Sequence, residues 1–196
     1  MKITAIKQQV KRPDRYSIFV EGKYSFSLGE GQFATSGLRS GLEITEAEIA
    51  DYKDQSEFGK LYEKTLNLLS FRPRSEWELR DYLKRKKQSP AVIDKILNKL
   101  SESGYVDDKK FAARWVESRR LLKPTSRRRL TQELRQKRIS DADIEEVLSG
   151  DDTDERKVLE ELVERKRARY PDRLKFMQYL ARQGYNYDDI KEVLKD

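Results

Sequence analysis

The chain has 196 residues, 36% hydrophobic and 39% charged, with a formal net charge of +7; this ratio leaves a single globule short of core and favours thin, stacked helical units. It contains no cysteine and no histidine, which removes disulfides, thiolate and imidazole chemistry and the usual zinc sites together, so no cofactor and no metal are expected. No stretch approaches the ~20 apolar residues of a membrane span, and Met1 to Val10 alternate in polarity instead of forming a signal core; a cytoplasmic protein without membrane contact is expected.

The first segment reads as β structure. Ile3 to Val10 supplies one strand, and Tyr16, Ile18 and Val20 followed, after Glu21-Gly22, by Tyr24, Phe26 and Leu28 describe a hairpin. Thr45-Glu46-Ala47-Glu48 has the form of a capping box, a hydroxyl and a carboxylate placed to satisfy the free N–H groups of a starting helix that carries Ile49 and Tyr52. These elements make an N-terminal hairpin/helix domain over residues 1–58.

From Leu61 onward the apolar spacing is helical and repeats. Leu79, Leu83, Ile93 and Leu97 recur as Leu130, Leu134, Ile144 and Leu148, then as Phe176, Leu180, Ile190 and Leu194, always at intervals of four, ten and four. Ser75, Ser126 and Asp172 precede each set by four residues, where an N-cap acceptor belongs, and Pro73, Pro124 and Pro171 close the preceding segments. Another apolar helix lies ahead of each proline: Leu61, Leu66 and Leu69; Phe111, Trp115 and Val116; Val158, Leu162 and Val163. The chain is therefore read as mainly α, an elongated array of three-helix, helix-turn-helix-like modules at 59–106, 107–150 and 151–196. Trp115, Phe111 and Tyr105 are expected to pack between them, and a capped array of this kind is compatible with a monomer.

Charge is distributed unevenly. Residues 1–60 hold 9 basic and 9 acidic side chains, 61–140 hold 22 and 10, and 141–196 hold 11 and 16; the basic middle suits a polyanion. The sharpest feature is Arg127-Arg128-Arg129 behind the cap Ser126. Cations in a first helical turn face the positive end of the helix dipole, whereas a phosphate seated on the turn's free N–H groups and gripped by guanidinium forks reverses that cost. Lys84, Arg85, Lys86 and Lys87 end their helix, where cations suit the dipole, and Arg72, Arg74, Arg119, Arg120 and Lys123 complete a candidate DNA- and filament-binding stripe. Whether these share a face depends on the stacking angle between modules. The run Asp151-Asp152-Thr153-Asp154-Glu155 reads as a helix N-terminus, and Asp107-Asp108 as a cap, not a metal pair.

Gly104-Tyr105-Val106-Asp107-Asp108-Lys109-Lys110-Phe111-Ala112, with Arg119 beyond it, resembles a signature of the bacterial RecX family, and Glu78-Leu79-Arg80-Asp81-Tyr82-Leu83 and Glu133-Leu134-Arg135-Gln136-Lys137 resemble its glutamate-leucine-arginine repeats. The hairpin head is similar to the leader of some members. Where the family usually places lysine-glycine after the second helix, this chain has Lys86-Lys87 and Lys137-Arg138; Gln183-Gly184 keeps the glycine. Glycine there ends a helix in a left-handed conformation, so the first two modules must turn otherwise or strain a non-glycine residue. The resemblance implies a non-enzymatic modulator that binds the RecA-type recombinase filament on single-stranded DNA and hinders its ATPase and strand exchange. The alternative is a plain helical DNA-binding protein, acting on duplex DNA without a recombinase. An enzyme fits worst, because Gly29-Glu30-Gly31 lacks the lysine of a phosphate-cradling loop and no carboxylates form a catalytic pair.

Overall fold

A computed structural model describes residues 1–195, so the end of the third module, Asp196, lies outside the described residues. The chain divides into two compact units, one of Met1–Arg72 with Asp94–Ile96, the other of Pro73–Ile93 with Leu97 onward.

The first unit opens with an antiparallel meander, β1 (Ile3–Gln9), β2 (Arg12–Val20) and β3 (Lys23–Gly29), in that spatial order. Glu21 and Gly22 connect β2 to β3 with φ of 48° and 76°; two successive positive values match the right-handed twist of a tight hairpin. One face of the sheet buries Ile3, Ile18, Val20, Phe26 and Leu28 against Leu38, Ile44 and Ile49, with Phe26 stacked on Tyr52 at 5.2 Å. A short helix, α1 (Glu30–Ser36), occupies the segment read from sequence as a bare glycine fragment.

The capping box forms as expected: the Thr45 hydroxyl accepts from the Glu48 amide at 3.2 Å, and the Glu48 carboxylate accepts from the Thr45 amide at 2.8 Å. The helix it starts, α2 (Glu46–Phe71), runs without a break through the 58/59 boundary drawn from sequence. Gly59 is the only glycine in α2 and proline is absent, so nothing interrupts the backbone hydrogen bonds. Glu63 on this helix meets Arg15, which is 1% exposed, at 2.8 Å; the same guanidinium donates to the Ser27 carbonyl at 3.1 Å.

The second unit contains α3 (Glu76–Arg85), α4 (Pro90–Glu102), α5 (Asp108–Leu122), α6 (Arg127–Gln136), α7 (Asp141–Ser149), α8 (Glu155–Lys166), a 3₁₀ turn at Arg167–Arg169, α9 (Arg173–Arg182) and α10 (Tyr187–Val193). All twelve residues of the repeated apolar pattern are buried. Phe111, Ala112, Val116, Leu130, Leu134, Ile139, Ile144 and Leu148 form one core. A second gathers Val158, Leu159, Leu162 and Val163 with Phe176, Met177, Leu180, Tyr185, Ile190 and Leu194. Phe111 joins its core and Trp115 packs beside it, but Tyr105 is 58% exposed: Gly104 turns the chain at φ 72° and Val106 takes the buried place.

The missing glycines have the consequence anticipated for them. Lys87 and Arg138 end α3 and α6 at φ of 58° and 60°, the left-handed region, where Gly184 stands at 96° after α9. In each case the next amide reaches back to a buried leucine carbonyl, from Gln88 to Leu83, Ile139 to Leu134 and Tyr185 to Leu180, so the turn is set by its hydrogen bonds and the side chain tolerates the strain.

Candidate nucleic-acid interface

The cap residues of α3 and α6 join neighbouring modules as well as starting helices. Ser126 is fully buried; its oxygen accepts from the Arg129 amide at 3.1 Å and its hydroxyl donates to the carbonyl of Gln183, the C-cap of α9, at 2.6 Å. One module earlier, the equally buried Ser75 accepts from the Glu78 amide and donates at 2.9 Å to the carbonyl of Lys137, the C-cap of α6. A second bond repeats beside the first. The Arg127 amide is held by both oxygens of Glu155, at 3.0 and 2.9 Å, and the Glu76 amide by Asp108 at 2.7 Å. The C-terminus of α9 thus meets the N-terminus of α6, and the C-terminus of α6 meets the N-terminus of α3, so opposite helix-dipole ends are brought together at both joints.

This geometry corrects the phosphate reading of the arginine turn. Two of its three N–H groups are not free, because Glu155 holds the Arg127 amide and Ser126 the Arg129 amide, while the Ser126 hydroxyl brings the carbonyl end of α9 to the same turn. The acid that helix stability calls for is supplied by α8 from the next module. What remains is the side chains: Arg127 and Arg128 are exposed, and among the described residues neither has an ion pair, while Arg129 contacts Glu133 at 3.5 Å. The cleft of about 460 Å³ beside them also holds the carboxylates of Glu155 and Asp189, which makes its interior a poor seat for an anion and leaves the outer rim.

The other candidates separate into two groups. Lys84, Arg85, Lys86, Lys87 and Lys123 are exposed; Arg85 pairs with Asp81 at 3.0 Å in an exposed helical pair, and the rest carry no ion pair among the described residues. Arg120, in contrast, is 12% exposed and fully engaged, with Asp151 at 2.6 Å, Glu155 at 2.9 Å and the Thr125 carbonyl at 2.6 Å. Arg119 pairs with Glu133 at 2.7 Å and lies over the Trp115 ring at 4.5 Å. Arg72 belongs to the first unit and Arg74 to the second, and each already has a partner within the protein.

Around Trp115 the network continues: its indole N–H donates to Glu133 at 3.0 Å, Lys137 lies 5.2 Å from its ring centre, and Lys137 pairs with Glu78 at 2.7 Å. Burial pushes the Glu133 carboxyl up, but hydrogen bonds from Arg119 and Trp115 outweigh it and hold the group below its usual range. Asp151 behaves alike, with burial overcome by Thr153 and Arg120. The acidic run ahead of α8 therefore does more than start a helix. Asp154 caps α8 by accepting from the Arg156 amide, while Asp151 and Glu155 lock the second module to the third.

Asp107 caps α5 by accepting from the Lys110 amide at 2.9 Å, as its position implies. The joints themselves went unread in the sequence. A signal was there, since the cap is serine in the first two modules and aspartate in the third, and a carboxylate has no hydroxyl to donate to a following carbonyl.

A small β meander and a run of three-helix modules joined cap to cap, with exposed cations at the helix ends, define a helical-repeat protein. The chain belongs to the RecX family of regulatory proteins. Family models match in order along it: the regulatory protein RecX N-terminal domain over residues 1–45, the RecX first three-helix domain over 62–100 and the RecX second three-helix domain over 107–148. It is 32% identical to regulatory protein RecX of Bacillus subtilis over 98% of this chain and 75% of that one. With the protein of the same name from Listeria welshimeri it shares 43% identity over 60% of its own length, a stretch that takes in only 44% of the relative. A crystal structure of regulatory protein RecX superposes with a TM-score of 0.79 at 27% identity, covering 100% of this chain and 99% of the other. That of RecX from Lactobacillus salivarius gives 0.61 at 25% identity over 71% and 95%. Among the described residues no helix is long and apolar enough to cross a membrane.

Proposed function

We propose that this protein binds a RecA-type recombinase filament on single-stranded DNA and hinders its ATPase and strand exchange, with the exposed cations at the ends of α3 and α6 as the contact. The carrying observation is the pair Arg127 and Arg128, exposed and unpaired at a joint whose backbone charge is already neutralised. Lys84 to Lys87 sit at the far end of α3. Because α6 and α3 are ten residues each, the arginine turn, the Lys137/Arg138 turn and the Lys84–Lys87 turn are separated by about 15 Å of helix apiece, a spacing that suits a repetitive polyanionic lattice. Arg129 and Lys123 extend the contact; Arg120 belongs to the joint.

The duplex-reading alternative is disfavoured by the third helices of the second and third modules. In a helix-turn-helix unit that helix enters the major groove, but α7 carries Asp141, Asp143, Glu145 and Glu146 without a single cation, and α10 carries Asp188, Asp189 and Glu192 against Lys191. The test is the DNA-dependent ATPase of the cognate recombinase, titrated with this protein and with an Arg127→Ala/Arg128→Ala/Arg129→Ala variant. Suppression at near-stoichiometric protein that the variant loses supports the reading. No suppression at concentrations where the protein binds DNA returns the case to plain DNA binding.

A further inference from the structure

The third module carries a basic cleft of its own. Residues 141–196 hold 11 basic and 16 acidic side chains, yet within them residues 165–182 hold seven cations and one acid, Asp172. Six of these cations are exposed and Lys166 is half-buried; among the described residues Lys175 alone has an ion pair, at 4.0 Å to Asp172. Lys175, Gln178 and Arg182 follow at intervals of three and four along one face of α9. Arg169, at the end of the 3₁₀ turn, joins them to line a cleft of about 380 Å³ with Tyr170 and Pro171. The turn is anchored, because the Tyr170 ring stacks on Phe176 at 5.1 Å and on Tyr179 at 4.8 Å. Burial and the neighbouring Tyr170 raise the Tyr179 hydroxyl while Arg169 acts against them, which places the guanidinium beside the rings.

Neighbouring clefts balance their charges. That at the arginine turn sets Glu155 and Asp189 against Arg127 and Arg128, and that beside α5 sets Glu117 and Asp151 against Arg120. Here three cations face one acid, and the acid is committed: Asp172 accepts from the Leu174 and Lys175 amides at 2.9 and 3.1 Å. The site is therefore the side chains along α9 and the preceding turn, not the helix terminus. Three cations gathered without an internal counter-charge repel one another, a cost that an anionic ligand removes. Two guanidinium forks, an ammonium and the Gln178 amide offer more donors than the two oxygens of a carboxylate accept. A phosphate monoester brings three acceptor oxygens and about two charges. A phosphodiester inside a strand carries about half that charge, so the cleft suits a terminal phosphate, with room for the group that bears it.

We infer that this cleft binds a terminal phosphate monoester, that of a nucleotide or of a 5′-phosphorylated DNA strand, with Arg169, Lys175 and Arg182 as its contacts. The site is independent of the cations on α3 and α6, so its failure leaves the filament reading standing. The test is fluorescence anisotropy of the full-length chain with 3′-labelled oligothymidine carrying or lacking a 5′-phosphate, with thymidine 5′-monophosphate and thymidine as competitors. The phosphorylated strand is expected to bind about tenfold more tightly. Arg169→Gln/Arg182→Gln should abolish that preference, and Arg127→Ala/Arg128→Ala should keep it. Competition by the monophosphate but not by thymidine identifies a nucleotide site; the preference without such competition identifies a strand-end site. Equal affinity for the two strands overturns the proposal. So does a preference that survives Arg169→Gln/Arg182→Gln, or one lost to the same extent in Lys7→Gln/Lys11→Gln, which removes equal charge from exposed positions of the first unit. Arg169 and Arg182 are exposed, so their replacement spares the fold, and a thermal melt of each variant verifies this.

Discussion

Replacing Ser126 by alanine removes two bonds with one oxygen. The first is an N-cap, worth about 1 kcal/mol; the second is the 2.6 Å bond to the Gln183 carbonyl, whose loss strands a half-buried acceptor at about 1–2 kcal/mol. The sum of about 2–3 kcal/mol corresponds to a fall of roughly 5–10 °C in the melting temperature of a chain this size. Asp172 provides the internal control. It occupies the same position in the third module and caps the Leu174 and Lys175 amides but makes no bond to a following module among the described residues, so Asp172→Ala should cost only the cap, about 1 kcal/mol. Gly184→Ala approaches the joint from the other side. Its new Cβ would stand 2.6 Å from the Ser126 hydroxyl at a φ of +96°, and a loss of at least about 2 kcal/mol is expected. Urea and thermal denaturation of the three variants, followed by circular dichroism, make the comparison. Equal destabilisation by Ser126→Ala and Asp172→Ala would refute the idea that serine holds the modules together.

Arg120→Ala should cost about 3 kcal/mol, because it leaves Asp151 unpaired in a largely buried network, whereas Arg128→Ala should stay within about 0.5 kcal/mol; urea midpoints distinguish the structural arginine from the surface one. Lys87→Gly and Arg138→Gly remove side chains from left-handed positions and should each raise the melting temperature, by a net gain of about 0.5–1 kcal/mol after the added freedom of the unfolded glycine is subtracted. Glu133 and Asp151 are held below their usual carboxylate range, so they contribute stability above the unfolded values near 4 that disappears as pH falls through the folded ones. Burial raises Asp108, which opposes part of this trend. Denaturation midpoints between pH 7 and 3 should therefore fall, and fall less in the Arg120→Ala variant. The Arg127→Ala/Arg128→Ala pair should reduce the salt slope of single-strand binding by about 1–2, measured by anisotropy at graded salt.

Much of the architecture was legible because it is local. The apolar intervals, the caps Thr45, Ser75, Ser126 and Asp172, and the hairpin at Glu21-Gly22 each depend on a few neighbouring residues, and each adopts the expected conformation. What escaped is non-local. Nothing in the local pattern places Glu155 on the amide of Arg127, or Asp151 on Arg120, 31 positions away. The continuity of α2 across the drawn boundary was hidden for a different reason: a helix needs no signal to continue, only the absence of one to stop. The candidate list mixed two kinds of arginine because sequence reports charge, whereas the pairing that removes a charge from the surface is decided by which helices meet.

The joints also explain how three arginines come to start a helix. Taken alone, cations in that turn oppose the helix dipole, and sequence reasoning had to summon an external phosphate to offset it. In the folded chain the offset is internal and permanent: a carboxylate from α8 and the carbonyl end of α9 lie on the turn whether or not a polyanion is bound. The backbone's electrostatic requirement is thereby separated from that of the side chains. Glu155 serves the Arg127 N–H and Ser126 that of Arg129, and the Arg127 and Arg128 side chains stay exposed. The same separation appears at the preceding joint, where Asp108 serves the Glu76 amide while Arg138 remains on the surface beyond the Lys137 carbonyl. If it holds, adding a polyanion should change the mobility of the Arg127 and Arg128 side chains and leave hydrogen-exchange protection of the Arg127 and Arg129 amides as it was. Deprotection of those amides on binding would mean that the ligand displaces Glu155 and opens the joint.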